Sequence, residues 1–129
     1  MRNLAYISTH DQSSDAQHFD IAQKHNIERW FIEGTSESIR ILERPGFLEL
    51  HKFARKGDTV IVCSIETLGR DSFELYDAFE ALRAKGVNVA SVGGNLDLSS
   101  PTGKIFLETL TTLTELRRTI SRRRRRERK

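Results

Sequence analysis

One serine and several charged residues stand in short polar segments that interrupt the apolar parts of this chain. Ser8 follows the apolar segment 2–7, Arg44 opens an Arg-Pro-Gly-Phe run, and Arg70 closes a run that begins at Glu66. A serine hydroxyl is a poor nucleophile at neutral pH, so attack on a phosphodiester requires in-line positioning, loss of the proton and nearby positive charge. Arginine suits the last task, because its planar guanidinium binds phosphate oxygens in pairs and stays protonated. A serine surrounded by arginines could therefore break a phosphodiester without a metal.

The elements that must position these residues alternate between strand and helix. The predicted strands cover 2–7, 27–33, 59–65 and 87–92, and the predicted helices cover 13–25, a short stretch from Pro45, and 71–85. This alternation predicts an α/β domain of three layers, in which helices cover both faces of a mostly parallel sheet. Ser8 and Arg70 each follow a strand, and the carboxyl ends of parallel strands meet at one edge. Ser8 alone is a weak signal, since a serine that caps a helix is the commoner case.

Length and composition indicate one domain. The chain has 129 residues and one cysteine, Cys63, which excludes an internal disulfide and fits buried packing in a reducing cytoplasm. There is no apolar run long enough to predict a membrane span.

The net charge of +3 is unevenly distributed: residues 117–129 contain nine Lys/Arg and one glutamate, whereas the rest contains twelve Lys/Arg and seventeen Asp/Glu. A basic tail of this density favours nucleic acid as a partner over a merely solvated segment.

The last part of the chain predicts one long helix. Apolar residues recur every three or four positions and stop where the arginine run begins, and a helix from Thr102 to Lys129 would be about 40 Å long. This pattern predicts pairing with a second protomer followed by contact with DNA; the alternative is a helix that packs on its own sheet and frays beyond Ile120. The candidate pairing residues are Phe106, Leu110, Leu113, Leu116 and Ile120. The candidate DNA-binding residues are Arg117, Arg118, Arg122, Arg123, Arg124, Arg125 and Arg126.

Four segments, in this order, resemble the catalytic domain of the serine site-specific recombinases, the resolvase/invertase family. They are residues 6–12 (Tyr-Ile-Ser-Thr-His-Asp-Gln), 44–47 (Arg-Pro-Gly-Phe), 66–70 (Glu-Thr-Leu-Gly-Arg) and 99–103 (Ser-Ser-Pro-Thr-Gly). The resemblance extends over essentially the whole chain. It implies a resolvase-like fold with residues 1–100 as the catalytic domain and 101–129 as a long dimerisation and DNA-contacting helix. Many members also carry a C-terminal helix-turn-helix domain, which this sequence does not contain; we expect it to be either a fragment or a chain that binds DNA through the arginine tail alone.

The resemblance also implies an activity and roles for individual residues. Family enzymes attack DNA with the serine, form a 5′-phosphoserine link, and exchange strands as a tetramer without a cofactor; their reactions include DNA inversion, resolution and the integration of mobile elements. By resemblance, Ser8 matches the nucleophile, Arg44, Glu66 and Arg70 match further catalytic positions, and Gln12 and Gln17 match the polar positions after the serine. The expected partners are DNA and further copies of this chain, in a prokaryotic cytoplasm.

The chain departs from the family pattern at three positions, two of which lose an arginine. Tyr6 and Thr67 stand where the family has arginines, and Glu66 replaces an aspartate. Arg40 is the better candidate for a replacement, because Arg2 lies roughly 20 Å from Ser8 along the strand. Losing one arginine that stabilises the phosphoryl oxygens commonly lowers the rate by about 10²–10³, so we expect recombination to be slow or absent.

Three other functions compete with this interpretation. The chain could be a non-catalytic relative that binds DNA or a partner, or a nucleotide-binding domain of flavodoxin-like layout, which rests on fold analogy alone. Metal catalysis is the weakest of them, because the four histidines do not form a ligand pattern.

Overall fold

The computed structural model describes residues 2–9, 14–35 and 38–127, with the backbone alone described at residues 14, 95 and 125–127. Its strands are β1 (Asn3–Ser8), β2 (Arg29–Glu33), β3 (Thr59–Val62) and β4 (Asn88–Ser91). Its helices are α1 (Ser14–Lys24), α2 (Pro45–Phe53), α3 (Ser72–Arg83) and α4 (Pro101–Glu127). The strands pair in the order β2-β1-β3-β4 and all pairs are parallel. The predicted α/β class with a parallel sheet and a long last helix is therefore confirmed.

The two faces of the sheet have separate apolar cores, because successive side chains of a strand point to opposite faces. Leu4 and Tyr6 of β1 lie in the larger core, to which α2, α3 and the start of α4 contribute. Ala5 and Ile7 lie in the smaller core with Ile21 of α1. The sheet is thus the middle of three layers, as the sequence predicts.

Strand β3 ends earlier than the sequence predicts. The apolar run extends to Ile65, but the strand stops at Val62 and a short 3-10 helix covers Ile65–Thr67. The Ser64 side chain accepts the N–H of Glu66 and so starts this helix. The turn directs the segment that carries Glu66 and Arg70 across the carboxyl edge of the sheet, where it contacts β1.

The Ser-Pro-Thr-Gly segment fixes the beginning of α4. The Ser100 hydroxyl accepts the N–H of Gly103, and Pro101 occupies the first turn, where its missing N–H costs nothing. A Cβ at Gly103 would lie 1.9 Å from the carbonyl oxygen of Asp97, so only glycine fits. These residues therefore hold the base of α4 against the loop that follows β4.

The long helix leaves the domain surface partway along its length. Leu110 is buried and Phe106 packs on Phe79 of α3 at a ring distance of 6.2 Å. Leu113, Leu116 and Ile120 are instead 48%, 53% and 40% exposed. The apolar stripe that the sequence predicts is therefore divided: its first part completes this chain's own core, and its second part faces solvent.

Candidate active site

Ser8 is held through its backbone at the carboxyl end of β1. Gln17 of α1, which is itself buried, accepts the Ser8 N–H with its Oε1 at 3.3 Å and donates from Nε2 to the Ser8 carbonyl. One side-chain amide thus satisfies both backbone groups of the serine. This fixes the orientation of the residue, and Ser8 is 2% exposed. Gln12, the other predicted supporting glutamine, lies outside the described residues.

Tyr6, which stands at a position where the resemblance predicts arginine, belongs to a buried polar network. Its hydroxyl donates to Oε1 of Glu33 at 2.8 Å. The carboxylate of Glu33 also accepts the N–H groups of Gly46 and Phe47 at 3.2 and 3.1 Å, at the N-terminus of α2. A carboxylate is favoured there by the free N–H groups and the helix dipole. Tyr6 therefore supports the fold and brings no positive charge to this edge.

The surroundings shift the pKa values of both groups. Burial raises the pKa of the Tyr6 phenol, and its hydrogen bond with the Glu33 carboxylate raises it further. Burial would also raise the pKa of Glu33, but the hydrogen bonds from Thr35, Tyr6 and the two N–H groups outweigh it and hold that pKa below its ordinary value. The closeness of this carboxylate also explains the glycine of the Arg-Pro-Gly run, since a Cβ at Gly46 would lie 2.8 Å from Oε1 of Glu33.

Arg44 is buried and hydrogen-bonded to three different segments. Its Nε donates to the Ile39 carbonyl at 2.8 Å and its Nη1 to the Thr67 carbonyl at 3.1 Å. Its Nη2 forms a salt bridge of 3.1 Å with Oε1 of Glu74, and both side chains are at least 95% buried. The same oxygen of Glu74 accepts the N–H of Ile41 at 3.0 Å. Arg44 therefore joins the loop before α2, the 3-10 helix after β3 and the first turn of α3.

The segment after β3 has three buried residues, 67–69, between two exposed charges. Glu66 and Arg70 are exposed, whereas Thr67 is 2% exposed. Gly69 allows this segment to lie close to α3, because a Cβ there would lie 2.7 Å from the backbone nitrogen of Leu75. The 3-10 helix contacts β1 and its Thr67 carbonyl contacts Arg44. The fold thus brings the segments that carry Ser8, Glu66 and Arg70 to the carboxyl edge of the sheet, as expected for parallel strands, and Arg44 binds the backbone of the second of these segments.

The two arginines considered as replacements for the missing charges lie in different places. Arg40 is exposed beside this edge and reaches Asp77 of α3 at 3.9 Å. Arg2 is engaged at the opposite edge, where it forms a salt bridge of 2.7 Å with Asp58. Of the two, only Arg40 lies on a segment next to the candidate site.

The first two arginines of the basic tail contact α3. The guanidinium of Arg117 lies 4.3 Å from the ring centroid of Phe73, and its Nη1 donates to the Ser72 hydroxyl at 2.6 Å. Arg118 lies 5.5 Å from the ring of Tyr76 and 3.9 Å from Asp77. Both contacts help to fix the direction of α4. The side chains of Arg122, Arg123 and Arg124 are exposed, and those of Arg125 and Arg126 lie outside the described residues.

The structure adds residues that the sequence analysis did not select. Glu33, Glu74 and Asp77 organise the site edge through buried or shared ion pairs and hydrogen bonds. Glu74 has a sequence signal, since it stands three residues after Asp71, whose side chain caps α3 by accepting the Glu74 N–H. Glu33 and Asp77 have no comparable local signal, because their partners are distant in the sequence.

Two further observations concern metals and membranes. Among the described residues, His, Cys, Asp and Glu side chains form no group of three that could bind a metal ion. None of the helices in the described ranges combines the length and apolar character that crossing a bilayer requires.

Comparison with known proteins agrees with this arrangement. Residues 5–129 match the model of the resolvase N-terminal domain. The chain is 32% identical over 114 residues to the serine recombinase Gin of Escherichia phage Mu, covering 88% of this chain and 58% of Gin. It is 31% identical over 122 residues to the DNA-invertase Hin of Salmonella typhimurium, covering 93% of this chain and 63% of Hin. It thus spans about three fifths of the length of these curated relatives.

A solved structure shares the fold. The N-terminal catalytic domain of TP901-1 integrase superposes with a TM-score of 0.72 at 22% identity, covering 92% of this chain and 98% of that domain. The fold and its polar edge define an α/β domain of the serine recombinase type. The chain belongs to the resolvase family and represents its N-terminal domain, which confirms the resemblance seen in the sequence.

Proposed function

We propose that this chain is the catalytic domain of a site-specific DNA recombinase in which Ser8 forms a covalent link to DNA. The observation that carries the proposal is the backbone clamp on Ser8, formed by the buried Gln17 at the carboxyl end of β1. A nucleophile needs a fixed geometry, and this clamp holds Ser8 by both its backbone N–H and its carbonyl. The relatives named serine recombinase and DNA-invertase support DNA as the substrate.

The proposed reaction needs no external reagent. The Ser8 oxygen bonds to the phosphorus of a phosphodiester, the 3′ oxygen of the broken strand leaves with a proton, and a 5′-phosphoserine remains. The reverse attack by a 3′ hydroxyl rejoins the strands and returns the serine. Arg70 is the exposed cation at this edge that suits the phosphoryl oxygens, and Arg40 lies on a neighbouring segment. Glu66 supplies an exposed carboxylate beside them.

We expect this chemistry to be weak in the present chain. Tyr6 and Thr67 are buried and uncharged, and Arg44 already donates to Glu74 and to two backbone carbonyls. Each lost electrostatic donor commonly costs about 10²–10³ in rate, although such losses do not add simply. These same observations favour the second candidate function, a non-catalytic relative that binds DNA without cutting it.

The long helix would provide the contacts with partners. Leu113, Leu116 and Ile120 form an exposed apolar stripe, the kind of surface that a second copy covers on dimerisation. The arginines that follow at 122–126 would lie on DNA phosphates, in a dimer or in a tetramer assembled on DNA. The proposed setting is a bacterial cytoplasm or a mobile element, which the relatives from Salmonella typhimurium and Escherichia phage Mu support.

A covalent-trapping assay tests the proposal. Supercoiled DNA from the flanks of the gene is incubated with the wild type and with Ser8→Ala, and protein–DNA adducts are resolved after denaturation. Thr9→Ala is the matched control, because it removes the neighbouring hydroxyl, which donates to the Glu33 carbonyl at 3.2 Å. We expect an adduct with the wild type and Thr9→Ala, and none with Ser8→Ala.

The double variant Tyr6→Arg/Thr67→Arg separates the two candidate functions. If these two positions alone limit a competent site, the double variant should form more adduct than the wild type. DNA binding without an adduct, in the wild type and in a double variant whose thermal melt matches that of the wild type, would reject Ser8 chemistry and leave the non-catalytic DNA-binding function.

A further inference from the structure

A basic cleft lies at the edge of the sheet opposite Ser8. It has a volume of about 420 Å³ and is formed by the first residues of β2 and the last turn of α2. The lining residues are Arg29, Phe31, Glu49, Lys52, Phe53 and Arg55. Arg29 begins β2, whose last residue pairs with Ser8, so about 13 Å of strand separates the cleft from the register of the serine.

Two aromatic rings fix the position of one arginine in this cleft. The guanidinium of Arg29 lies 5.1 Å from the ring centroid of Phe31 and 4.6 Å from that of Phe53. Arg2 also lies over Phe53, at 4.5 Å, but its charge is paired with Asp58. Stacking engages the face of a guanidinium and leaves the N–H groups at its rim for an oxygen ligand. Arg29 is therefore preorganised for such a ligand.

The charges of the cleft are not balanced. Arg29, Lys52 and Arg55 supply three positive charges, and Glu49 is the only acidic residue of the lining. Within the described part of the chain, no carboxylate oxygen lies within 4.0 Å of the charged nitrogens of these three residues. Other arginines of the domain, such as Arg2 and Arg44, have carboxylate partners. The three cations of the cleft thus have a net charge that a ligand could neutralise.

We propose that this cleft is a second anion site, which binds the phosphate groups of a phosphodiester backbone or of a free polyphosphate. Convergent Arg and Lys side chains around a concave surface match the charge and the hydrogen-bond acceptors of phosphate. The site is separate from Ser8 and from the arginines of α4. It stands independently of the proposed recombinase activity, since it requires neither the nucleophile nor the basic tail.

Calorimetric titration of the full chain with inorganic pyrophosphate tests the site. The triple variant Arg29→Gln/Lys52→Gln/Arg55→Gln should weaken pyrophosphate binding roughly tenfold or more, because charge-assisted hydrogen bonds are lost. The matched control Lys24→Gln/Arg83→Gln/Lys104→Gln removes the same charge from α1, α3 and α4 and should bind as the wild type does.

A second variant tests the same site if the triple variant does not fold. Lys52→Gln/Arg55→Gln keeps Arg29 stacked between the rings and should still bind pyrophosphate more weakly than the control.

A second titration with short duplex DNA, over a range of salt concentrations, distinguishes the two sources of phosphate. If a DNA backbone occupies the cleft, the triple variant lowers the salt dependence of log K by roughly 0.9 for each lost contact. If pyrophosphate binding falls and the DNA slope equals that of the control, the ligand is a free polyphosphate. Equal behaviour of the triple variant and the control with both ligands would overturn the proposal.

Discussion

The buried ion pair between Arg44 and Glu74 permits the most stringent test of the structure. Both side chains are at least 95% buried, and Glu74 also accepts the N–H of Ile41. Glu74→Ala would leave a buried guanidinium without its counter-ion and a backbone donor without its acceptor. Removing one partner of a buried pair costs about 3–5 kcal/mol, and the orphaned N–H overlaps with that loss. A domain is commonly stable by about 5–15 kcal/mol, so this one substitution should remove a large part of the stability.

Two comparisons isolate the cause of that loss. Glu80→Ala is the matched control, because Glu80 lies on the same helix and pairs with Arg83 near the surface, where the two side chains are 32% and 64% exposed. A partly exposed pair of this kind is worth about 0–1 kcal/mol. The double variant Arg44→Met/Glu74→Leu leaves no unpaired charge in the interior, so it should be more stable than Glu74→Ala.

Urea denaturation followed by circular dichroism measures these free energies of unfolding. We expect Glu74→Ala to lose about 3 kcal/mol or more and Glu80→Ala to lose less than about 1 kcal/mol. A loss for Glu74→Ala no larger than that for Glu80→Ala would refute the buried pair. A double variant less stable than Glu74→Ala would show that the unpaired charge is not the source of the cost.

Two further predictions concern the polar network around Tyr6 and the base of α4. The folded-state pKa of Glu33 lies below its ordinary value of 4.5, so its ionised form stabilises the fold above that pH and this contribution is lost as the pH falls below it. The Glu33→Gln variant should therefore be less stable than the wild type near pH 7, and its Tm should fall less steeply between pH 5 and pH 3. Thermal melts at several pH values measure this, and the same dependence of Tm on pH in variant and wild type would contradict the hydrogen bonds assigned to Glu33. Gly103→Ala should lower Tm, because the added Cβ would lie 1.9 Å from the Asp97 carbonyl oxygen. Thr102→Ala, at the exposed neighbouring position, is the control and should change Tm little. Equal Tm values for the two variants would show that residue 103 does not lie this close to Asp97.

Much of the fold follows from local patterns in the sequence. The apolar runs of β1 and β3 and the helical spacing in α3 and α4 predict the elements, and their alternation predicts the parallel sheet. The end of β3 was predicted too late, because a serine cap inside an apolar run begins the 3-10 helix at Ile65. The division of the α4 stripe was also missed, since periodicity shows which residues share a face but not where the domain beneath that face ends.

Sequence patterns predict less of the candidate site than of the fold. The relation of Ser8 to Gln17 entered through the family resemblance, and the structure shows the two backbone hydrogen bonds that connect them. Arg44 stays a predicted catalytic residue, and its partner Glu74 lies 30 positions away and could not be inferred from spacing. Arg117 stays a predicted DNA contact, and the structure adds that it stacks on Phe73, 44 residues earlier in the chain. Such non-local pairs depend on the packing of the helices, which local sequence patterns do not encode.

The way in which α4 is attached gives it the mechanics of a cantilever. Its base is clamped by the close approach of Gly103 to Asp97 and it stays packed as far as the fully buried Thr114, beyond which the contacts to α3 are made by the side chains of Arg117 and Arg118. The part of α4 after Thr114 is about 20 Å long, so a bend of about 10° there moves the tip by roughly 3–4 Å. That displacement is comparable to the spacing of successive phosphates projected on the axis of one DNA strand, about 3.4 Å. If the basic end binds DNA as proposed, a slight bend of the helix would therefore shift its register on the DNA by about one phosphate.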